Sequence, residues 1–532
     1  MKKYWRIGEP CVWGSGAALA FTLLVAATLI IVIMVNGLGV FWPSTLQQAE
    51  LKDGSQLLGE LTQREPAYEG EGFRRQYKIG NRDLYGLDFR WIDESQIVET
   101  TAPEEAIVLE REEYGNFYGY LKDLQIANLD IPETGTRYDR LLLANEQMQQ
   151  QKDVIEEMDG EVSRLSYKLE ALRRNLLKAE HQGLDKRHPQ VLEYNRKQSI
   201  LQDDFQHLVA TQNRKVAEMR MNAAVFVDAN GSEREIPLIE IVRIYQPNRM
   251  SFIEKSVFYL GKLKELLFGE PRESNTEGGL YPAIFGTIML IFIMSLFSFP
   301  LGVIAAIYLR EYAKEGHIVR IVRIAVNNLA GIPSIVYGIF GLGFFVYGIG
   351  GTLDKLFFAE TLPTPTFGTG GILWASLTLA LLTVPVVIVS TEEALGAIPR
   401  EIREGSLALG STKFQTLMRI LLPMASPGIM TGLILAMARA AGEVAPLMIT
   451  GVVKLAPTLP LDGNFPFLHL DRKFMHLGFH IFDIGFQSPN VEAAKPMVFV
   501  TTLLLVLIVL TMSSIAIYLR NKMKKRYTFG TF

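Results

Sequence analysis

Arg439 and Glu443 stand four residues apart in a stretch that otherwise reads as membrane. Arg439 is the single basic residue between Arg419 and Lys454. Ionisable groups at membrane depth are costly, so they pair with one another or line a pathway. Spacing of four puts both on one helix face. The guanidinium offers a planar fork of donors that suits a tetrahedral oxyanion, and the carboxylate can hold it when no anion is present. Pro446 then ends the helix and places Glu443 toward the outer interface. The competing reading is an ion pair that fixes helix packing. Asn327, Asn328, Ser334 and Tyr337 are weaker pore candidates, because such side chains also join helices by hydrogen bonds.

Other spacings carry less chemistry. His476 and His480 have the i,i+4 spacing of two metal ligands, but no metal-motif carboxylate accompanies them, so packing is the expectation. Gly341, Gly343 and Gly348 lie in an apolar run and read as helix-packing glycines. Gly405 to Thr412 is the string nearest to a phosphate loop, and it lacks the lysine. Cys11 is the sole cysteine, which excludes an intrachain disulfide. No nucleophile stands beside a base. The chain does not read as an enzyme on its own.

The elements that must position these residues divide sharply. Of 53 Lys+Arg and 56 Asp+Glu, residues 42–275 hold 31 and 41, net −10; the remainder hold 22 and 15, net +7. An acidic soluble unit is therefore joined to a greasy basic one. No basic face dominates, which argues against nucleic acid as a partner. Charge-free runs at 10–49, 278–309, 324–353, 361–391, 420–438 and 496–519 are each long enough to span a bilayer. The first, with apolar core Ala17–Val35, reads as an uncleaved anchor rather than a signal peptide, since its core is long and no small-residue cleavage site follows. With the N-terminus inside, segments 1–9, 310–323, 392–419 and 520–532 carry 3, 4, 4 and 5 basic residues, against five in total on the outer side. Both termini are thus expected in the cytoplasm and 42–275 outside.

The outer unit has two textures. From about 50 to 125, short alternating runs broken by Asp53-Gly54 and Gly80-Asn81 read as strands. Over 137–220 the pattern turns helical. Leu141, Met148, Ile155, Val162, Leu169 and Leu176 recur every seven residues, with Ala144, Gln151, Met158, Leu165, Leu172 and Ala179 in the second heptad position. Gly183 to Pro189 breaks the helix, and Tyr194, Leu201, Phe205 and Leu208 continue the stripe on a second one. The first helix reaches about 66 Å. Ala229-Asn230-Gly231 then marks a hairpin. The chain divides into 1–41 (leader and span one), 42–275 (a β domain with a helical hairpin or coiled coil at 137–220, an assembly or spacing device) and 276–532 (five spans with a cytoplasmic loop at 392–423).

That loop is the informative segment. Glu404-Gly405-Ser406-Leu407-Ala408-Leu409-Gly410 is followed, after nine residues, by Ile420-Leu421-Leu422-Pro423. A short helix with small residues can sit closely in a partner's cleft, Gly410 allows a sharp exit, and Glu404 suits the helix N-terminus. The string resembles the coupling loop of ABC importer permeases, with Gly405 and Ser406 where that loop has two alanines. Three further strings, Pro300–Tyr312, Asn328–Gly338 and Ala438–Leu447, resemble the phosphate-specific branch of these permeases, in particular its second permease subunit. The resemblance spans 279–520.

It implies a mostly α membrane protein with six transmembrane helices of the ABC importer permease type and an external β plus coiled-coil insert between spans one and two. It implies a non-catalytic inner-membrane subunit that imports inorganic phosphate, with Arg439 and Glu443 on the substrate path and Glu404, Gly405, Ser406, Gly410, Ile420 and Pro423 in the ATPase coupling loop. The partners it implies are a homologous phosphate permease, a cytoplasmic ATPase dimer, a periplasmic phosphate-binding protein and the lipid bilayer. No cofactor or metal is expected on this chain; ATP would be used by the partner. A sulfate or molybdate permease is the alternative in the same class, and a coiled-coil membrane scaffold the alternative in another.

Overall fold

A computed structural model describes residues 8–67, 72–488 and 490–527. Lys2, Lys3 and Arg6 lie outside the described residues. Among the described residues six helices are long and apolar enough to cross a membrane: Glu9–Gly39, Tyr281–Tyr312, Ser334–Phe357, Ile372–Gly396, Lys413–Gly442 and Val491–Lys524.

Helix α1 (Glu9–Gly39) leads into the insert. Strands β1 (Leu46–Leu51), β2 (Gln56–Pro66), β3 (Phe73–Lys78), β4 (Phe89–Asp93) and β5 (Ile97–Thr101) form one antiparallel sheet in the order β4-β3-β2-β1-β5. Strands β6 (Ile107–Arg111), β7 (Phe117–Gln125), β8 (Ala223–Val227), β9 (Glu233–Pro237) and β10 (Ile241–Tyr245) form a second, ordered β10-β6-β7-β8-β9. The Asn230-Gly231 turn joins β8 to β9, and Gly231 takes the left-handed φ of +85° that such a turn requires.

Strands β7 and β8 pair directly, so the two long helices between them leave the sheet and return to it. Helix α2 (Arg137–His181) starts at a capping box in which the Thr136 hydroxyl accepts from the Asp139 amide and the Asp139 carboxylate accepts from the Thr136 amide. Pro189 opens α3 (Pro189–Arg220) at a position where a missing N–H costs nothing. The two helices pack along one another. Near the sheets, Leu141, Ala144 and Met148 are buried with Phe117, Phe226 and Leu238. Farther out, Ile155, Val162, Leu169 and Leu176 are half-buried and their flanking charges exposed.

Helix α4 (Phe252–Phe268) returns the chain to the membrane unit. Helix α5 (Tyr281–Ile307, extending to Tyr312) packs against α8 (Ile372–Gly396), which is the most buried span. A Cβ on Gly302 of α5 would fall 2.6 Å from Val387 Cβ of α8, so the close approach depends on the missing side chain.

The third span starts ten residues later than the charge-free run suggests. Residues 317–329 form a separate amphipathic helix, α6 (His317–Leu329), and α7 (Ser334–Phe357) begins after Gly331-Ile332-Pro333. Pro333 lacks a donor and pushes Ile332 out of the helical region, which breaks the run. Within α7, Gly341 packs tightly on Thr378, whereas a Cβ on Gly343 would meet nothing within 4 Å. Gly343 is therefore not a packing glycine inside this chain.

Past α8, a short helix α9 (Arg400–Ala408) precedes α10 (Lys413–Gly442). Then come α11 (Ala445–Thr450), α12 (Leu477–Phe482) and α13 (Val491–Tyr527).

Candidate functional site: a double helix break and a coupling loop

Helix α10 ends at Gly442, and Glu443 is extended, with φ −82° and ψ 127°. Two residues on, α11 begins with Pro446 in its first turn. The spacing of Arg439 and Glu443 is thus not a helical i,i+4 pair, as their sequence separation suggests; Glu443 is the cap residue beyond the helix. The side chains still meet, with Arg439 Nε 3.6 Å from Glu443 Oε1.

The break in α10 faces the break between α6 and α7. Arg439 Nη2 points at the Ala330 carbonyl, 3.5 Å away. Helices α7 and α11 touch where a Cβ on Gly338 would lie 2.8 Å from Pro446 Cα. Irregular backbone of this kind is tolerated at membrane depth only where protein or a polar cavity covers it. Depth follows from the neighbours. Gly428 packs on Ala394 and Gly432 on Ser390, while Ala440 shares a core with Leu379. Arg439 therefore lies level with the outer half of α8, well below its outer end at Ile372. Glu443 is followed by α11 before the chain reaches the loops beyond Thr450.

The arginine is weakly held. Both its contacts are at the long limit of their kind, and its side chain is 31% exposed. A guanidinium carries five N–H donors, so most of them are free to turn toward an anion. Tyr337 is not: its hydroxyl donates to the Leu329 carbonyl at 2.7 Å. Asn327 and Asn328 are exposed on the last turns of α6, and Ser334 is the first residue of α7.

The second part of the site lies at the opposite end. Helix α9 closes with Gly410 at φ +85°, where the Gly410 amide donates to Leu407 O and the Ser411 amide to Ser406 O. This pair of bonds is the left-handed C-terminal motif that favours glycine. A new capping box, Thr412 with Gln415, starts α10 at once. Ser406 is buried, and its hydroxyl bonds Thr416 Oγ1 at 2.8 Å across the turn. Glu404 and Gly405 are exposed. Ile420 and Pro423 are half-buried and lie at the start of the fifth span. Pro423 offers no amide to the preceding turn, and residues 417–421 widen to accommodate it.

Three features here have no local sequence signal. Arg403 donates to the Ile398 carbonyl at 2.7 Å and pairs with Glu311 at 3.2 Å, tying α9 to the inner end of α5. Arg323 pairs with Glu392 at 3.4 Å. Leu409 is 89% exposed, and with Leu407, Phe414 and Met418 it forms an apolar patch around the turn. Partners separated by 92 positions leave no spacing to read.

On the outer face the insert touches the permease loops. Lys178 of α2 lies 3.5 Å from Glu360, and the Tyr167 hydroxyl donates to the Phe465 carbonyl. Nearby, Asp462 is half-buried; partial burial raises its carboxyl, but the Asn464 amide, Arg472 and His469 outweigh that and hold it at about 2. His476 and His480 are also buried, and both are lowered to about 4 because burial disfavours the imidazolium. The His480 Nε2 lies 3.0 Å from Asn275 O, and Nδ1 lies 3.2 Å from Thr501 Oγ1. Among the described residues no cluster of His, Cys, Asp and Glu could hold a metal.

These features define a multi-span membrane protein of permease type. Residues 298–525 match the family described as binding-protein-dependent transport system inner membrane component. The chain is 37% identical over 238 residues to the phosphate transport system permease protein PstA 1 of Mycobacterium tuberculosis H37Rv, covering 44% of this chain and 69% of that one. It is 36% identical to the probable phosphate transport system permease protein PstA of Methanocaldococcus jannaschii, covering 36% of this chain and 63% of that one. Against PstA of Mycobacterium leprae the identity is 37%, over 36% of this chain and 58% of that one. The chain thus spans about three fifths of the length of the latter two. An inward-facing methionine ABC transporter, MetNI, aligns with 46% of this chain and 95% of its own at 19% identity, with a TM-score of 0.34. The chain belongs to the ABC importer permease family, in the group of phosphate permeases. It is accordingly a multi-pass inner-membrane protein.

Proposed function

We propose that this chain is the membrane subunit of an ATP-driven importer of inorganic phosphate, with Arg439 on the substrate path. The observation that carries it is the weakly held Arg439 where two helix breaks meet, in a chain 36–37% identical to phosphate permeases. An arriving oxyanion takes over the donors of Arg439, and Glu443 recaptures the guanidinium when the anion leaves, which prevents a permanent trap.

The chain itself performs no catalysis and binds no cofactor. A cytoplasmic ATPase dimer supplies the energy and docks on Glu404, Gly405 and the apolar patch around Gly410. A homologous permease lies alongside, and a periplasmic phosphate-binding protein docks outside. That protein must accommodate the helical hairpin, whose α2 rests on loops 359–361 and 462–469. Both termini are cytoplasmic, which places the basic segments inside.

The test is phosphate uptake into proteoliposomes by the assembled complex. Arg439→Met should lower uptake about a hundredfold or more, the scale expected when a charged bidentate contact is lost. Arg439→Lys should rescue it poorly. The double variant with Glu443→Gln should not restore it. If the pair served packing alone, an apolar pair would replace it well, and near-normal uptake by the double variant would withdraw Arg439 from the path. Uptake of sulfate or molybdate in preference to phosphate would favour the other oxyanion reading.

A further inference from the structure

A cavity of about 690 Å³ lies where the outer ends of α1 and α13 meet the underside of the β domain. The transport reading makes no use of it. Its walls divide into two chemistries. Val35, Val40, Met497 and Phe499 give it an apolar side that continues down the two membrane spans. The opposite side is densely charged.

Part of that charge is already matched. Lys262 of α4 bridges Glu110 at 2.9 Å and Glu265 at 3.2 Å, and Arg272 reaches Glu265 at 2.7 Å. Lys78, Glu60 and Glu277 stand outside this network. Glu60 lies opposite Lys78 across the β2–β3 ladder and accepts from the Tyr118 hydroxyl, and Glu60 and Glu277 are the nearest opposite charges to Lys78 without a direct salt bridge. Lys495 and Glu492 line the same space, and Glu492 accepts from the Gln76 amide. Two cations and three carboxylates therefore line the same space without a direct salt bridge among the described residues. Opposite charges that face one another across a cavity without touching suit a ligand that itself carries both signs.

The surroundings say where that ligand comes from. Helix α4 forms one wall through Phe258 and Lys262. Its other face is bare: Phe252, Ile253, Val257, Leu260 and Phe268 are 64–75% exposed. That face continues into Trp42 at the outer end of α1, whose ring lies 5.5 Å from Phe252 and 6.1 Å from Tyr259. An amphipathic helix joined to an aromatic belt at the end of a lipid-exposed span is the arrangement of a helix seated in the bilayer surface.

We propose that this cavity holds the headgroup of an outer-leaflet phospholipid bearing both a phosphodiester and a primary ammonium, with Lys78 facing the phosphate, Glu60 and Glu277 facing the ammonium, and the acyl chains running down α1 and α13. The site would fasten the insert to the bilayer at its membrane-facing edge.

The full chain, purified in detergent and delipidated, is offered dioleoyl phosphatidylethanolamine, phosphatidylglycerol or phosphatidylcholine, and retained lipid is counted by native mass spectrometry. Phosphatidylethanolamine should be retained about tenfold better than the other two, the scale of one charge-assisted contact. Lys78→Gln should lower retention by a similar factor. Gly39→Trp is the second variant, since Gly39 lines the cavity and a side chain there meets nothing within 4 Å. It fills the space without disturbing the charged network, so loss of lipid in it would support the proposal even if Lys78→Gln fails to fold. Equal retention of the three lipids, or unchanged retention in Gly39→Trp, would overturn it. Soluble phosphoethanolamine competing as well as the lipid would overturn the membrane source.

Discussion

The insert and the membrane core are built on opposite rules of packing. In the insert, large apolar side chains meet: Phe117, Phe226, Leu141, Met148 and Leu238 share a core, and the charge buried beside it is paired, as Arg111 is with Asp83 at 3.0 Å. Water supplies the driving force there, so burial and apolarity coincide. In the core, apolar side chains are as numerous on the outside as on the inside. Ile304, Phe292 and Leu296 of α5 are 62–68% exposed, while Gly286, Gly302 and Ala306 of the same helix are buried. Lipid is as apolar as leucine, so close contact between backbones decides the fold instead. The same residue type therefore means different things in the two regions, and glycine shows this best.

The largest expected effect is at Gly302. A Cβ there would lie 2.6 Å from Val387 Cβ and 2.7 Å from its Cγ1. Gly302→Leu should separate α5 from α8, the contact at the centre of the core. Overpacking of this kind costs about 1–3 kcal/mol or more. The assembled, detergent-stable protein should fall severalfold on size-exclusion chromatography. Wild-type yield and melting temperature would break the contrast between the two regions.

Gly410→Asp should come next, and it should act on function rather than folding. The left-handed φ of +85° strains any side chain, though aspartate tolerates it better than most. Nothing lies within 4 Å of a Cβ there, so the chain itself has room. The charge would instead enter the apolar patch of Leu407, Leu409, Phe414 and Met418. Insertion and yield should stay near normal while ATP-driven phosphate uptake is lost. Uptake at the wild-type rate would remove this loop from energy coupling.

A third effect joins the two regions. His480 links the Asn275 loop at the end of the insert to Thr501 of α13. Folded His476 and His480 stay neutral down to about 4, whereas an unfolded histidine takes its proton near 6.5. Stability should be full above pH 6.5, fall as pH drops through that window, and stop falling from this cause below about 4. Each histidine contributes a slope of about 1.4 kcal/mol per pH unit within the window. His480→Gln keeps a donor toward Asn275 O, and it should roughly halve the decline in melting temperature between pH 7 and pH 5. An identical decline in variant and wild type would show that other groups govern acid stability.

What the sequence reveals follows the same division. The heptads of α2 are legible because water enforces their period, and so is the hairpin at Asn230-Gly231. The six spans are legible by length and apolarity. Their packing is not, since an apolar run has no distinguishable inner face. The start of the third span is misplaced for that reason: residues 324–329 look like membrane, but Pro333 separates them from the span. Arg439 and Glu443 can be picked out because charge in an apolar run is conspicuous. The break that makes Glu443 a cap, the facing carbonyl of Ala330 and the Arg403–Glu311 tie all depend on segments far apart in sequence. The lie of α2 on the outer loops is of the same kind, since Lys178 and Glu360 are brought together only by the fold.

The smallest effect is the sharpest comparison. Gly160 lies in the middle of α2, exposed, with nothing within 4 Å of a Cβ. Its backbone is helical, so glycine there contributes only conformational freedom that folding must remove. Gly160→Ala should stabilise the helix locally by about 0.5–1 kcal/mol. By contrast, a Cβ on Gly432 of α10 would fall 2.7 Å from Ser390 Cβ, so Gly432→Ala should destabilise the core. The same substitution thus has opposite signs in the two regions. Hydrogen exchange of the intact protein reads the insert locally. Amides around residue 160 should exchange about two- to fivefold more slowly in Gly160→Ala, the ratio that 0.5–1 kcal/mol implies. Faster exchange there would mean that Gly160 serves a contact outside this chain, and the hairpin would then obey the packing rule of the membrane core rather than that of the water-soluble sheets.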